Sequence, residues 1–126
     1  MSYTYDDQNI FAKILRGEIP NKTVIDSEHT LAFEDISPQA PVHVLVIPKG
    51  PYVTYDHFAA EATADEIVDF HRVVARVCET FDVRSDTGKG CRFISNAGEH
   101  GVQEVPHYHL HIMGGRWLGR MLEKED

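Results

Sequence analysis

Hydrophobic and polar positions along this chain follow two periods, and the changes between them mark its elements. Ile10, Phe11, Ile14 and Leu15 share one helical face, with Asn9 as a helix N-cap and Gly17 as a stop, which predicts a short helix over about residues 10–16. Thr23-Val24-Ile25 and Thr30-Leu31-Ala32-Phe33 read as two strands of a hairpin around the turn Asp26-Ser27-Glu28. Asp35 to Pro41, with two prolines and a serine, is a loop leading out of the sheet. Val42 to Ile47 is β-branched and apolar except for His43, as befits a central strand covered on both faces. Residues 52–62 read as a connecting segment. Thr63 and Glu66 then have the spacing of a capping box, and Ile67, Phe70, Val74, Val77 and Phe81 recur three and four apart, giving a helix of about five turns. His71 lies off that stripe and is expected in solvent. Residues 82–90 form a turn, Cys91 to Asn96 a fourth strand, and Gly98 to Glu104 a loop. From His107 to Ile112 the period is two, so a last strand is predicted, begun by Pro106 and ended by Gly114-Gly115.

This order predicts an α+β domain with a mainly antiparallel sheet of about five strands, one short helix and one long helix. At 126 residues there is room for one domain and one core. Residues 1–8 are polar and expected to fray, and 116–126 form a C-terminal tail.

Composition narrows the function classes. A hydrophobic content of 42% and a charged content of 25% are ordinary for a globular chain. No apolar run approaches a membrane span and no signal-like N-terminus is evident, so a cytoplasmic location without membrane contact is expected. A net charge of −8 argues against binding duplex nucleic acid and requires any phosphate site to be built locally from imidazoles and backbone N–H groups. Cys78 and Cys91 form no metal-like spacing and read as small buried thiols. Gly88-Lys89 lacks the rest of a phosphate-loop motif and reads as a turn.

The last strand carries the candidate chemistry. His107, His109 and His111 project from one face, Tyr108, Leu110 and Ile112 from the other. A solvated polar face would be served as well by Thr, Lys or Glu. Two histidines at i and i+2 can share a zinc ion, but the first and third start about 13 Å apart along a strand. The remaining reading is nucleophilic and acid–base chemistry, one imidazole attacking while the others position and move protons.

His107-Tyr108-His109-Leu110-His111-Ile112-Met113 resembles the motif of the histidine triad superfamily, and Gly114-Gly115-Arg116 resembles its nucleotide-binding phosphoramidase branch. The segments Asn9–Pro20, Leu31–Pro41 and His43–Lys49 are similar to the same branch. The resemblance implies hydrolysis of purine nucleoside phosphoramidates, with purine nucleoside monophosphates as products, through a nucleotidyl-histidine intermediate and without metal or other cofactor. It implies His109 as nucleophile, His111 and Gln103 as donors to phosphoryl oxygens, and His43 and His107 as proton-relay and orienting groups. Asn96 would lie near the phosphate or leaving group and Asp35 would bind the ribose hydroxyls. Phe11, Ile14, Ile19, Phe33 and Ile36 would line the base slot. A homodimer joined through its sheets is also implied, the tail after Gly115 reaching the partner's site. Val102 stands where the branch usually has Gly and Glu104 where some members have Ser, which bears on the leaving group. Trp117, in the variable tail, bears on specificity. A nucleotide-binding or protein-interaction module with incidental hydrolysis is the rival reading.

Overall fold

The sheet is organised around its most apolar strand. In the computed structural model, which describes residues 3–124, five antiparallel strands run β1 (Thr23–Asp26), β2 (Thr30–Glu34), β3 (Val42–Pro48), β4 (Cys91–Ile94) and β5 (Leu110–Gly114) in chain order. Their order across the sheet is β1-β2-β3-β5-β4, which puts β3 in the middle. Alternate residues of β3 then feed two cores. Val44 and Val46 join Phe58, Phe70, Val73, Val77, Tyr108 and Ile112 on one face, while Leu45 and Ile47 join Phe11, Ile14, Leu31 and Phe33 on the other. A strand buried on both sides has no polar face to offer, which is why its apolar run is nearly continuous.

Helix α1 (Ile10–Leu15) covers the second face. The Asn9 side chain accepts from the Ala12 N–H at 2.9 Å, and Gly17, at φ +79°, turns the chain away after the helix. Helix α3 (Ala64–Thr80) covers the first face, and both hydrogen bonds of its Thr63/Glu66 capping box are present. Its buried line runs through Phe70, Val73, Val77 and Cys78, with Ile67, Val74 and Phe81 only partly covered. The predicted stripe is therefore rotated slightly, and Val73 takes the deep position expected of Val74. His71 is exposed as expected. Asp69 ties the helix to the β1–β2 turn, its Oδ2 accepting from Ser27 Oγ, the His29 N–H and Thr30 Oγ1.

Three features depart from the sequence expectations. Residues 52–62 contain a third helix, α2 (Tyr55–Glu61), N-capped by the Thr54 hydroxyl on the His57 N–H and burying His57 and Phe58. It ends at Ala62, whose extended backbone leads to the next cap at Thr63. The N-terminal stretch is anchored from residue 3 onward: the Tyr3 ring stacks on His57 with centroids 4.2 Å apart, and Tyr5 reaches His107. Residues 1–2, also expected to fray, and residues 125–126 of the tail lie outside the described residues. Finally, the last two strands are shorter than predicted. β4 stops at Ile94, and the β5 ladder starts at Leu110, so residues 107–109 precede it. The alternation of faces nevertheless holds, Tyr108 and Ile112 facing α3 while His109 and His111 face α1.

Cys78 and Cys91 are free thiols with sulfurs 4.0 Å apart, and burial pushes the Cys91 thiol up to about 12. Gly115, at φ +90°, ends the last strand against Pro41, where a Cβ would lie 2.8 Å from the proline Cβ. No helix among the described residues is long and apolar enough to cross a membrane.

Candidate active site

Register brings the histidines together. In the β3–β5 pairing Leu45 lies opposite His111 and His43 opposite Met113, so His43 and His111 are diagonal neighbours on the α1 face. Their rings meet with His43 Nε2 2.9 Å from His111 Nδ1. The tautomers follow from the remaining partners. The Gln39 N–H donates to His43 Nδ1 at 3.0 Å, which places the His43 proton on Nε2. That proton is donated to His111 Nδ1, so His111 carries its own proton on Nε2. Asp35 Oδ2 stands 3.4 Å from His43 Nε2 and supports the same arrangement.

His109 is fixed differently. Its Nδ1–H donates to the main-chain carbonyl of His107 at 2.7 Å, leaving Nε2 with a lone pair and no partner among the described residues. Its ring centroid lies 5.0 Å from that of His111. The Phe11 ring closes edge-on over it, also at 5.0 Å. His107 is wholly buried behind these groups, with Nδ1 2.6 Å from the Tyr5 hydroxyl and Nε2 2.8 Å from the Pro48 carbonyl.

Burial sets the charge state. It pushes His107 and His111 down to about 4 and lowers His109 and His43 as well, the Asp35 carboxylate opposing the shift at His43. The cluster is therefore neutral at pH 7. A neutral imidazole is both a nucleophile and a hydrogen-bond donor, and here His109 Nε2 offers the first property and His111 Nε2–H the second.

Both rings line a cavity of about 860 Å³. Its apolar part is formed by Phe11, Ile14, Ile19, Phe33 and Ile36, and its polar part includes Asp35 and Asn96. These are the residues expected of a base slot, a ribose ligand and a phosphate neighbour, gathered in one concavity. Ile36 is 98% exposed at the rim. Asp35 Oδ1 accepts from the Ser37 N–H at 2.7 Å, which holds the carboxylate at the cavity wall.

Two expected residues do not face the cavity. Gln103 spends its side chain on the main chain: Nε2 donates to the carbonyls of Val53 and Val105, and Oε1 accepts from the Gly98 N–H. It fastens the loop instead of offering a donor to a ligand. His107 lies behind His109. Val102 and Glu104 do line the cavity, and Val102 holds φ +55°, a left-handed conformation that β-branched residues rarely adopt. Tyr5 is a contributor the sequence expectation missed, since a tyrosine in a polar N-terminal stretch gives no sign of a distant partner.

Asp35, His43 and His111 present ligand atoms within 4.8 Å of one another, the one such grouping of three found among the described residues. The nitrogens facing each other in that grouping are already hydrogen-bonded together, and an ion there would break the chain from Gln39 to His111.

Known proteins resemble this chain over nearly its whole length. A HIT-like protein of Azospirillum brasilense is 52% identical over 124 residues, covering 98% of this chain and 99% of that protein. The purine nucleoside phosphoramidase of Escherichia coli K12 is 41% identical over 116 residues, covering 92% and 94%. The solved structure of a histidine triad protein from Clostridium difficile superposes with a TM-score of 0.80 at 34% identity, covering 94% of this chain and 100% of that one. The HIT domain model matches residues 16–118, and the chain belongs to the HIT domain family.

Proposed function

We propose that the protein hydrolyses purine nucleoside phosphoramidates to the nucleoside monophosphate and a free amine. The observation that carries this reading is the His109 Nδ1–H bond to the His107 carbonyl, which leaves the Nε2 lone pair free beside a cavity with an apolar and a polar part. The similarity to the Escherichia coli purine nucleoside phosphoramidase supports the substrate class.

The reaction proceeds in two displacements. In the first, His109 Nε2 forms a bond to phosphorus while the P–N bond to the leaving amine breaks, and the amine takes up a proton from solvent, which the attacking water of the second step returns. In the second, water attacks phosphorus, the Nε2–P bond breaks, and the monophosphate leaves with the water oxygen. His111 Nε2–H donates to a phosphoryl oxygen as charge builds there. The proton that His111 shares with His43 lets the pair adjust without a net charge in a buried site. His107 orients His109 through its carbonyl. Asp35 accepts from the ribose hydroxyls, Asn96 lies by the phosphate, and Phe11, Ile14, Ile19, Phe33 and Ile36 sandwich the base. Gln103 acts by holding the loop that carries Val102 and Glu104. The scheme uses imidazole alone, so chelator treatment leaves turnover unchanged.

The protein acts as a homodimer in this reading. β4 is an edge strand with Phe93 half exposed, and Trp117, Met121 and Leu122 are exposed in the tail. Pairing with a second copy would cover that edge. Light scattering tests this part, and a monomer mass near the 14.3 kDa of the chain would refute it.

Turnover of a fluorogenic adenosine phosphoramidate is the deciding experiment. Enzymatic turnover, on the order of 1–1000 s⁻¹, is expected. Tight AMP binding with no turnover would favour a binding module.

A further inference from the structure

The segment before α1 lies outside the residues matched by the HIT domain model, yet it delivers a hydroxyl to the back of the histidine cluster. The Pro48 carbonyl can only accept a hydrogen bond, so the His107 proton sits on Nε2, 2.8 Å from it. Nδ1 then carries a lone pair, and the Tyr5 hydroxyl donates to it at 2.6 Å. The two rings meet edge to face, and the Phe11 ring closes edge-on from α1 with its centroid 6.4 Å from that of His107. His107 is thus held at both nitrogens and has no contact with water.

That grip matters because of where the nucleophile gets its orientation. The His107 carbonyl accepts the His109 Nδ1–H, but residues 107–109 precede the β5 ladder. Near it, the backbone is held by the His107 N–H on Val105 O, the Tyr108 N–H on Tyr52 O, and Ser95 Oγ on His109 O. The His107 carbonyl shares a peptide plane with the Tyr108 N–H, so its direction is set jointly by the bond of that N–H to Tyr52 O and by the anchoring of the His107 ring. Tyr5 is in turn held from both sides. Ahead of it, Tyr3 stacks on His57 and donates to Asp56 Oδ2 at 2.9 Å; behind it, Asn9 Nδ2 donates to the Asp6 carbonyl at 2.7 Å.

We infer that Tyr5 is a positioning residue for His109: by donating to His107 Nδ1 it fixes the His107 ring and, through the His107 carbonyl, the tautomer that leaves His109 Nε2 free to attack. The inference rests on the proposed phosphoramidate hydrolysis for its kinetic consequences, but not for its structural ones. Removing the hydroxyl leaves a buried lone pair without a donor and frees the ring to turn. His109 then spends time with its proton on Nε2, where it cannot attack. Tyr5 does not line the cavity, so nucleotide binding is untouched.

The test combines kinetics with ring-nitrogen NMR. Tyr5→Phe should lower kcat about tenfold, as small misplacements of a reacting group do, with AMP affinity unchanged. Tyr3→Phe, which loses the bond to Asp56 but keeps the ring stacked on His57 and the Tyr5 hydroxyl in place, should keep kcat well above that of Tyr5→Phe. In a His107→Ala background Tyr5→Phe should cost nothing further. In ¹⁵N spectra of the ligand-free protein, wild-type His109 should show a single Nδ1–H tautomer and the Tyr5→Phe variant a mixture. A wild-type kcat in Tyr5→Phe, an equal loss in both backgrounds, or unchanged ring-nitrogen spectra would each overturn the inference. If the wild type turns over no phosphoramidate at all, hydrolysis is refuted while the spectra still decide the role of Tyr5.

Discussion

Behind His109 the ring nitrogens turned away from the cavity have partners: Tyr5 and Pro48 hold His107, the His107 carbonyl holds His109 Nδ1, and Gln39 holds His43, whose Nε2 meets His111 Nδ1. At the mouth of the cavity the opposite holds. Ile36, Val102 and Glu104 stand in solvent, and Val102 occupies a left-handed conformation with 71% of its surface exposed. The rear has one solution because each buried polar atom must be matched, and among the described residues no buried side-chain nitrogen or oxygen is left without a partner. The mouth has many solutions because water satisfies whatever is placed there. In the proposed reaction the chemistry is therefore fixed at the rear, while discrimination between leaving groups would change at the mouth with little structural cost.

The comparison is tested most severely at its boundary, the lone pair of His109. His109→Ala should reduce turnover by at least about four orders of magnitude, the loss expected when a nucleophile and the group arranged around it fail together, while AMP still binds. During wild-type turnover, acid-sensitive attachment of one nucleotidyl group to His109 should be seen by mass spectrometry. Attachment elsewhere would mean that the rear is arranged for something other than attack.

The rear should also be sensitive to acid. Unfolded, His107 titrates near 6.5; folded, burial holds it at about 4. The unfolded chain thus binds the proton first as pH falls, so the contribution of His107 is complete above 6.5 and is lost progressively down to about 4. The loss amounts to about 3 kcal/mol at 1.36 kcal/mol per pH unit. Urea midpoints measured from pH 7 to pH 4 should follow this fall, and a flat profile would show that His107 is not held neutral by burial.

Asp35 lies between the two regions, bonded to Ser37 yet open to the cavity. Asp35→Ala should weaken AMP binding by about 1.5–3 kcal/mol, the range for hydrogen bonds to a charged group. Calorimetry giving equal affinities would remove it from ribose recognition. The smallest effect is expected at the mouth. Val102→Gly relieves a φ of +55° and loses little burial, so it should stabilise the fold by about 1 kcal/mol or less, flexibility in the unfolded chain offsetting part of the gain. Changed relative rates across a set of leaving amines, with His109 labelling intact, would sharpen the division between mouth and rear.

What could be read from the sequence divides along a similar line. The apolar run of β3, the His-alternating strand and the capped helix α3 were legible because period and capping are local properties. The slot was not legible in this way: the pattern marked Phe11 and Ile14 as core, and only the family resemblance implied Phe11, Ile14, Phe33 and the loop residue Asp35 as slot and ribose ligands. α2 carried a local signal in Thr54 and Asp56, but seven residues between two caps are too short for a clear period. Gln103 and Tyr5 were not legible. Their partners are the carbonyls of Val53 and Val105 and a ring nitrogen about a hundred positions away, and main-chain acceptors have no signature in a sequence. The rotation of the α3 stripe from Val74 to Val73 likewise depends on how Phe58 and Tyr108 fill the facing core.

The glycines that close the histidine motif invite interpretation as a turn shaped for phosphate, but the packing of Gly115 gives it another significance. A side chain there would press on Pro41 at the entrance to β3, close to Val42 and His43. In a library of variants selected for activity, position 115 should behave like part of the reaction centre although it touches no reacting atom. Its intolerance would register a strand pushed out of line, and the symptom would surface as a misplaced His43. Mapping function by mutational sensitivity alone would mistake this corner for a ligand contact; pairing Gly115→Ala with Pro41→Gly, which removes the Cβ it would meet, would tell the two apart by a partial recovery of activity, the strain of Ala at φ +90° remaining.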